Sequence, residues 1–156
     1  MSLWTAHSEH ALSEDVPAPL EAVRDFYVDL DNIKLVHPLI VSVESLERSE
    51  ASDGYRHSYR VVDRIPLGPF TMQITYQACL HVRQSGYVLT EADQSHGVRL
   101  RGMVSFEPIR EPVVGTRITE HIRISAPRPL APITRSKGVK AHIAMLAGIR
   151  SHFESC

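Results

Sequence analysis

From Phe70 to Val82 every second residue is apolar: Phe70, Met72, Ile74, Tyr76, Ala78, Leu80 and Val82, with Thr71, Gln73, Thr75, Gln77, Cys79 and His81 between them. Successive side chains of a strand point to opposite faces, so this pattern predicts a strand with one buried face and one wet face. Thr116 to Ile124 repeats the pattern, and Tyr55–Ile65, Tyr87–Asp93 and Val98–Phe106 are strands of the same kind. Ile40–Glu47 and His10–Val16 alternate more weakly. Turn signals separate these runs: Asp53-Gly54, Pro66-Leu67-Gly68-Pro69, Ser85-Gly86, His96-Gly97 and the stretch from Pro108 to Gly115. About seven strands joined mostly by short turns predict an antiparallel sheet.

Two stretches carry helical spacing instead. Leu20, Val23, Phe26, Tyr27 and Leu30 follow Pro17-Ala18-Pro19, and a second short helix is expected from Asn32 to Val36, ending before Pro38. Near the C-terminus, Val139, His142, Ile143, Leu146, Ile149 and Phe153 fall on one side of a helix predicted over Ser136–Phe153, approached through Pro127, Pro129 and Pro132. Gly138 and Gly148 each weaken that helix by ~1 kcal/mol relative to Ala. The expected fold class is α+β: one strand, two short helices, six strands and a long helix that covers the sheet's apolar face.

Composition narrows this picture. The 156 residues are 43% hydrophobic and 22% charged, as in soluble globular domains, and suit one domain over 1–156. Residues 1–9 are expected to be a flexible end, and His7-x-x-His10 falls at that terminus. A net charge of −1 argues against a nucleic-acid-binding role. No apolar run approaches a membrane span, so no stable membrane insertion is expected. Two cysteines, Cys79 and Cys156, are too few for a disulfide framework, and a cytoplasmic setting follows as the expectation. Residues 1–78 hold 6 Lys/Arg against 12 Asp/Glu and residues 79–156 hold 11 against 6, which reads as two halves that neutralise each other. No zinc-finger spacing, His-Glu-x-x-His, nucleophile elbow or phosphate-binding loop is present, so neither a metal nor a cofactor is expected.

The residues at the front of the chain carry a resemblance. His10-Ala11-Leu12-Ser13-Glu14-Asp15-Val16-Pro17-Ala18-Pro19, followed by Val23, Phe26 and Asp29, resembles the opening of the START-like polyketide cyclase/dehydrase (SRPBCC) superfamily. His37-Pro38-Leu39-Ile40-Val41-Ser42-Val43-Glu44 resembles that superfamily's entry into the second strand. The resemblance implies a helix-grip fold: a curved seven-stranded sheet around a long C-terminal helix, with an apolar cavity between them. It also implies a small hydrophobic partner such as a lipid, quinone or polyketide-like molecule. Some members carry such ligands and others are cyclases, aromatases or dehydratases, so whether a reaction is catalysed stays open.

Alternation places the candidate site residues. Glu120 falls on the inner face among Ile118, Ile122 and Ile124, where burial disfavours a charged carboxylate unless a cation or donor meets it. Tyr55, His57 and Tyr59 share one face of their strand and would give the pocket polar tips. His142 lies near the centre of the helix's apolar stripe. Glu120, His57 and His142 are therefore the acid/base candidates of an enzyme. Tyr55, Tyr59, Met72, Ile74, Tyr76, Ile118, Ile122 and Leu146 are the expected ligand-contacting residues. Arg99, Arg101, Arg117 and Arg123 belong to the opposite, solvated face.

Overall fold

The computed structural model describes residues 3–112 and 114–155; Cys156, noted above, lies outside the described residues. The chain runs β1 (Thr5–Val16), α1 (Leu20–Tyr27), α2 (Leu30–Val36), β2 (Ile40–Ala51), β3 (Gly54–Leu67), β4 (Phe70–Arg83), β5 (Val88–Asp93), β6 (Arg99–Ile109), β7 (Gly115–Pro127) and α3 (Ala131–Glu154). All seven strands join one antiparallel sheet in the order β1-β7-β6-β5-β4-β3-β2. Helix α3 packs on the inner face against β1 and β7 and meets α2. This is the helix-grip arrangement that the resemblance implies, built from the antiparallel sheet and covering helix that the alternation and the helical stripe predict.

Two boundaries differ from the sequence reading. Residues 5–9, expected as a loose end, are the first part of β1 and pair with β7 from Thr5↔Pro127 onward. Thr5-Ala6-His7-Ser8-Glu9 shows no apolar alternation because an edge strand can be held by its backbone ladder alone. Helix α3 begins at Ala131, five residues early, because Pro132 stands in its first turn, where a missing N–H costs nothing.

Local chemistry explains the other helices. Asp29 caps α2, its Oδ1 accepting the Asp31 N–H at 2.9 Å. Val23, Phe26 and Tyr27 of α1 and Leu30 and Ile33 of α2 are buried, and they close one end of the sheet over Tyr59, Val61, Leu80, Val104 and Ile118. Gly148 lets α3 approach α2, since a Cβ there would sit 2.9 Å from the Val36 Cβ. The outer face is paired across strands. Arg117 grips Asp15 with two bonds at 2.8 and 3.2 Å, and Arg101 meets Asp93 at 2.9 Å. Asp15–Arg117 and Glu14–Arg150 join the acidic and basic halves of the chain.

Candidate functional site

The sheet's inner face is not covered evenly. Where α1 and α2 end, a cavity of about 330 Å³ opens between β3, β4, the β5–β6 connection and the first half of α3. Leu39, Ile65, Ile74, Val98, Leu100 and Ile133 make most of its wall, with Met72, Lys137 and His96 also lining it. A smaller space of about 110 Å³ lies beside Tyr27, Leu30 and Met145, and His37, Tyr76, Leu100 and His142 line both.

The polar groups gather where these two spaces meet. Glu120 stands in the middle of β7 and is 1% exposed, so its carboxylate has no water to rely on. Two donors replace that water. The Tyr27 hydroxyl of α1 donates to Oε2, and His142 of α3 presents Nδ1 to Oε1 at 3.0 Å. Three elements are thus tied at one carboxylate. Glu120 lies behind His142, whose side chain keeps 20% of its surface and lines the cavity. With Nδ1 engaged, Nε2 is the ring nitrogen left for a ligand.

Electrostatics follow from this packing. Burial opposes a charged His142, but the charge and hydrogen bond of Glu120, with the charge of Asp63, outweigh it and raise the imidazole above the ordinary histidine value. Burial first, then Glu120, drives the Tyr27 hydroxyl well above its usual range. His37, whose ring centroid is 5.8 Å from that of His142, is held down at about 3 by burial and by that neighbour's charge. Asp63 on β3 is 4% exposed; burial lifts it to about 6, against the bond from the Tyr76 hydroxyl and the charge of His142. Tyr76 reaches both carboxylate oxygens of Asp63 at 3.2 Å. Burial and Asp63 raise its own hydroxyl well above the usual range.

The sequence candidates separate accordingly. The structure brings Glu120 and His142 together and lines the cavity with Met72, Ile74 and Tyr76. His57 stands apart from them, bonded through Nε2 to Ser45 Oγ at 2.7 Å and through Nδ1 to the Tyr59 hydroxyl at 3.1 Å. Tyr59 also donates to the Val28 carbonyl, and Tyr55 lies under the Arg48 guanidinium. These three share a strand face with Asp63, but Tyr59 is held under the α1–α2 junction by Val28 and none of the three lines the cavity. Ile118, Ile122 and Leu146 are buried in the core and do not line the cavity. Asp63, Tyr27 and His37 were missed. Asp63 lies two residues beyond Val61 on the alternation that marked Tyr55, His57 and Tyr59, so the signal was there.

No family model matches the sequence, and no curated protein matches it by sequence either. Solved structures do match. A START superfamily protein from Mycobacterium smegmatis superposes with a TM-score of 0.76 at 13% identity, over 96% of this chain and 99% of that one. The fold is START-like. An aromatase/cyclase from Streptomyces sp. R1128 shares it with a TM-score of 0.71 at 14% identity, over 96% of this chain and 94% of that one. A di-domain aromatase/cyclase of the steffimycin biosynthetic pathway matches with a TM-score of 0.73 at 11% identity, over 96% of this chain and 51% of that one. Among the described residues no three His, Cys, Asp or Glu side chains converge to hold a metal ion. Among the described residues no helix is long and apolar enough to cross a membrane.

Proposed function

We propose that this protein binds a small hydrophobic molecule between its sheet and its C-terminal helix. The observation that carries the reading is the cavity of about 330 Å³, walled by aliphatic side chains and bearing a few convergent polar groups at its inner end. Ligand sites have this composition: apolar burial supplies the affinity and the polar groups set orientation. A bound apolar surface contributes roughly 25 cal/mol per Å² before the costs of association are met. The neutral fluorophore N-phenyl-1-naphthylamine tests the reading. It should bind one-to-one to the protein, and Ile74→Trp, which fills the cavity, should abolish the signal without unfolding the chain. Equal binding to both proteins would sink the proposal.

A second reading, an acid/base enzyme of the cyclase, aromatase or dehydratase type, is favoured by the Glu120–His142 pair. In a dehydration of a β-hydroxy ketone, Asp63 takes the proton beside the carbonyl and protonated His142 gives one to the departing hydroxyl. The C–H and C–O bonds break, a C=C bond forms and water leaves. Removal of such a group costs about 10²–10⁴ in rate. His142→Gln, whose amide can still donate to a ligand oxygen but cannot give up a proton, should then keep most of the ligand affinity and lose enone formation, followed by absorbance, from an aryl β-hydroxy ketone. The same aldol-type probe left unchanged by the native protein would leave binding as the function.

A further inference from the structure

The ion pair at the cavity's inner end is already complete, and one carboxyl beside it has no cation. The Glu120 carboxylate and the His142 ring form a pair at 3.0 Å, and the Glu120 oxygens are both occupied, one by His142 and one by Tyr27. Asp63 adds a second carboxyl, whose only donor among the described residues is the neutral Tyr76 hydroxyl. His37 completes the set, and its Nδ1 accepts the Leu39 N–H at 3.2 Å. The remaining cavity-lining cation, Lys137, stands with Leu130, Ile133 and Thr134 on the first turns of α3, and His96 belongs to the exposed β5–β6 connection. The inner end therefore holds one imidazole already engaged by Glu120, and a carboxyl group that would repel any second anion.

We infer that the cavity selects a ligand whose polar group is a neutral oxygen, such as a ketone, quinone or phenol, and rejects the matching carboxylate. The inference rests on the binding function proposed above and names the class of molecule bound. A neutral carbonyl oxygen accepts from His142 Nε2 without disturbing the Glu120 pair, and a phenolic hydroxyl can also donate to Asp63. A carboxylate in the same place has no free cation to offset its desolvation and lies near Asp63. Turned outward to reach Lys137, it leaves the polar inner end facing hydrocarbon, with those groups unpaired. The same argument disfavours phosphate-bearing lipids with the head group inside.

Four naphthalene probes of one shape separate the outcomes: naphthalene, acetylnaphthalene, naphthol and naphthoic acid, each displacing N-phenyl-1-naphthylamine at neutral pH. Acetylnaphthalene and naphthol should displace it at about tenfold lower concentration than naphthoic acid, the factor expected for about 1.4 kcal/mol of unpaired charge. Asp63→Asn, which removes the repelling charge and keeps the shape, should improve naphthoic acid by several fold and change acetylnaphthalene little. Naphthoic acid binding as tightly as the ketone, or naphthalene matching it, overturns the inference and leaves the cavity's binding function standing. Failure of the fluorophore itself to bind the native protein removes both.

Discussion

The two ends of the sheet's inner face obey the same sequence rule and have opposite fates. On β4, Leu80 is 3% exposed beneath α1 and α2, whereas Phe70, on the same face ten residues earlier, is 74% exposed. The packed end is a close-fitting core of Val23, Phe26, Leu30, Val61 and Ile118. The open end has the same apolar residues with neither α1 nor α2 above them and only the first half of α3 across a gap, so its apolar surface lines a cavity or faces solvent. Alternation names the face of a strand, and only the connections decide whether that face is covered. Between the two ends lie Tyr27, Glu120 and His142, where the cover stops and polar groups become affordable.

Substitutions should separate the ends by size of effect. Ile118→Ala, at a fully buried position, is expected to cost about 2–5 kcal/mol in urea unfolding. Phe70→Ala should stay within about 0.5 kcal/mol. Similar losses at both positions would mean the open end is packed in solution. Glu120→Gln comes next, at roughly 1.5–3 kcal/mol, because the amide cannot satisfy a charged His142.

That variant also carries a pH signature. The native-state value of His142 is raised, so its stabilising contribution is complete below the unfolded value of 6.5 and is lost as pH rises through the higher folded value. Glu120→Gln should erase this alkaline decline, whereas Ile118→Ala should lower the whole profile evenly. An alkaline decline that survives in Glu120→Gln would have another source.

Smaller effects come from the groups beside that pair. Asp63, raised from 3.8 to about 6, makes the fold most stable at low pH and withdraws that stability as pH rises through about 6. Its Asn variant should flatten this slope. His37 acts in the opposite sense: lowered to about 3, it contributes stability above 6.5 that is lost as pH falls toward 3. Thermal unfolding from pH 3 to 9 with His37→Asn, which should lose that acid-side fall, distinguishes the two. The smallest effect belongs to the outer face. Arg117→Ala, which breaks the exposed pair with Asp15, should lower the thermal midpoint least of all, and that loss should vanish in high salt.

Much of this architecture was legible because it depends on period. The seven strands, the two short helices and the long one follow from alternation and helical spacing, and so does the inward aspect of Glu120. His142 was legible from the stripe it shares with Leu146 and Ile149. The contact between Glu120 and His142 was not, since it depends on where α3 lies over β7 and how far it is rotated. Tyr27 was hidden among the aromatic and aliphatic residues of α1, where its hydroxyl leaves no mark on the spacing. His57 was misplaced for a related reason. It shares the inward strand face as expected, but it stands near the start of β3, bonded to Ser45 and Tyr59, whereas the cavity is lined by Asp63, Ile65 and Leu67 at the strand's other end, a distance that alternation does not record.

The pairing of β1 with β7 has a consequence for the protein's birth. Thr5–Val16 emerges from the ribosome ahead of the other six strands, and its partner, Gly115–Pro127, only about a hundred residues later. At elongation rates of roughly 5–20 residues per second, the first strand waits for seconds with both edges open. During that time β2 to β6 can assemble as successive hairpins, but β6 also presents an unpaired edge until β7 arrives. Closure of the sheet is thus a late, long-range event, the kind that slows folding and leaves a nascent chain in need of protection.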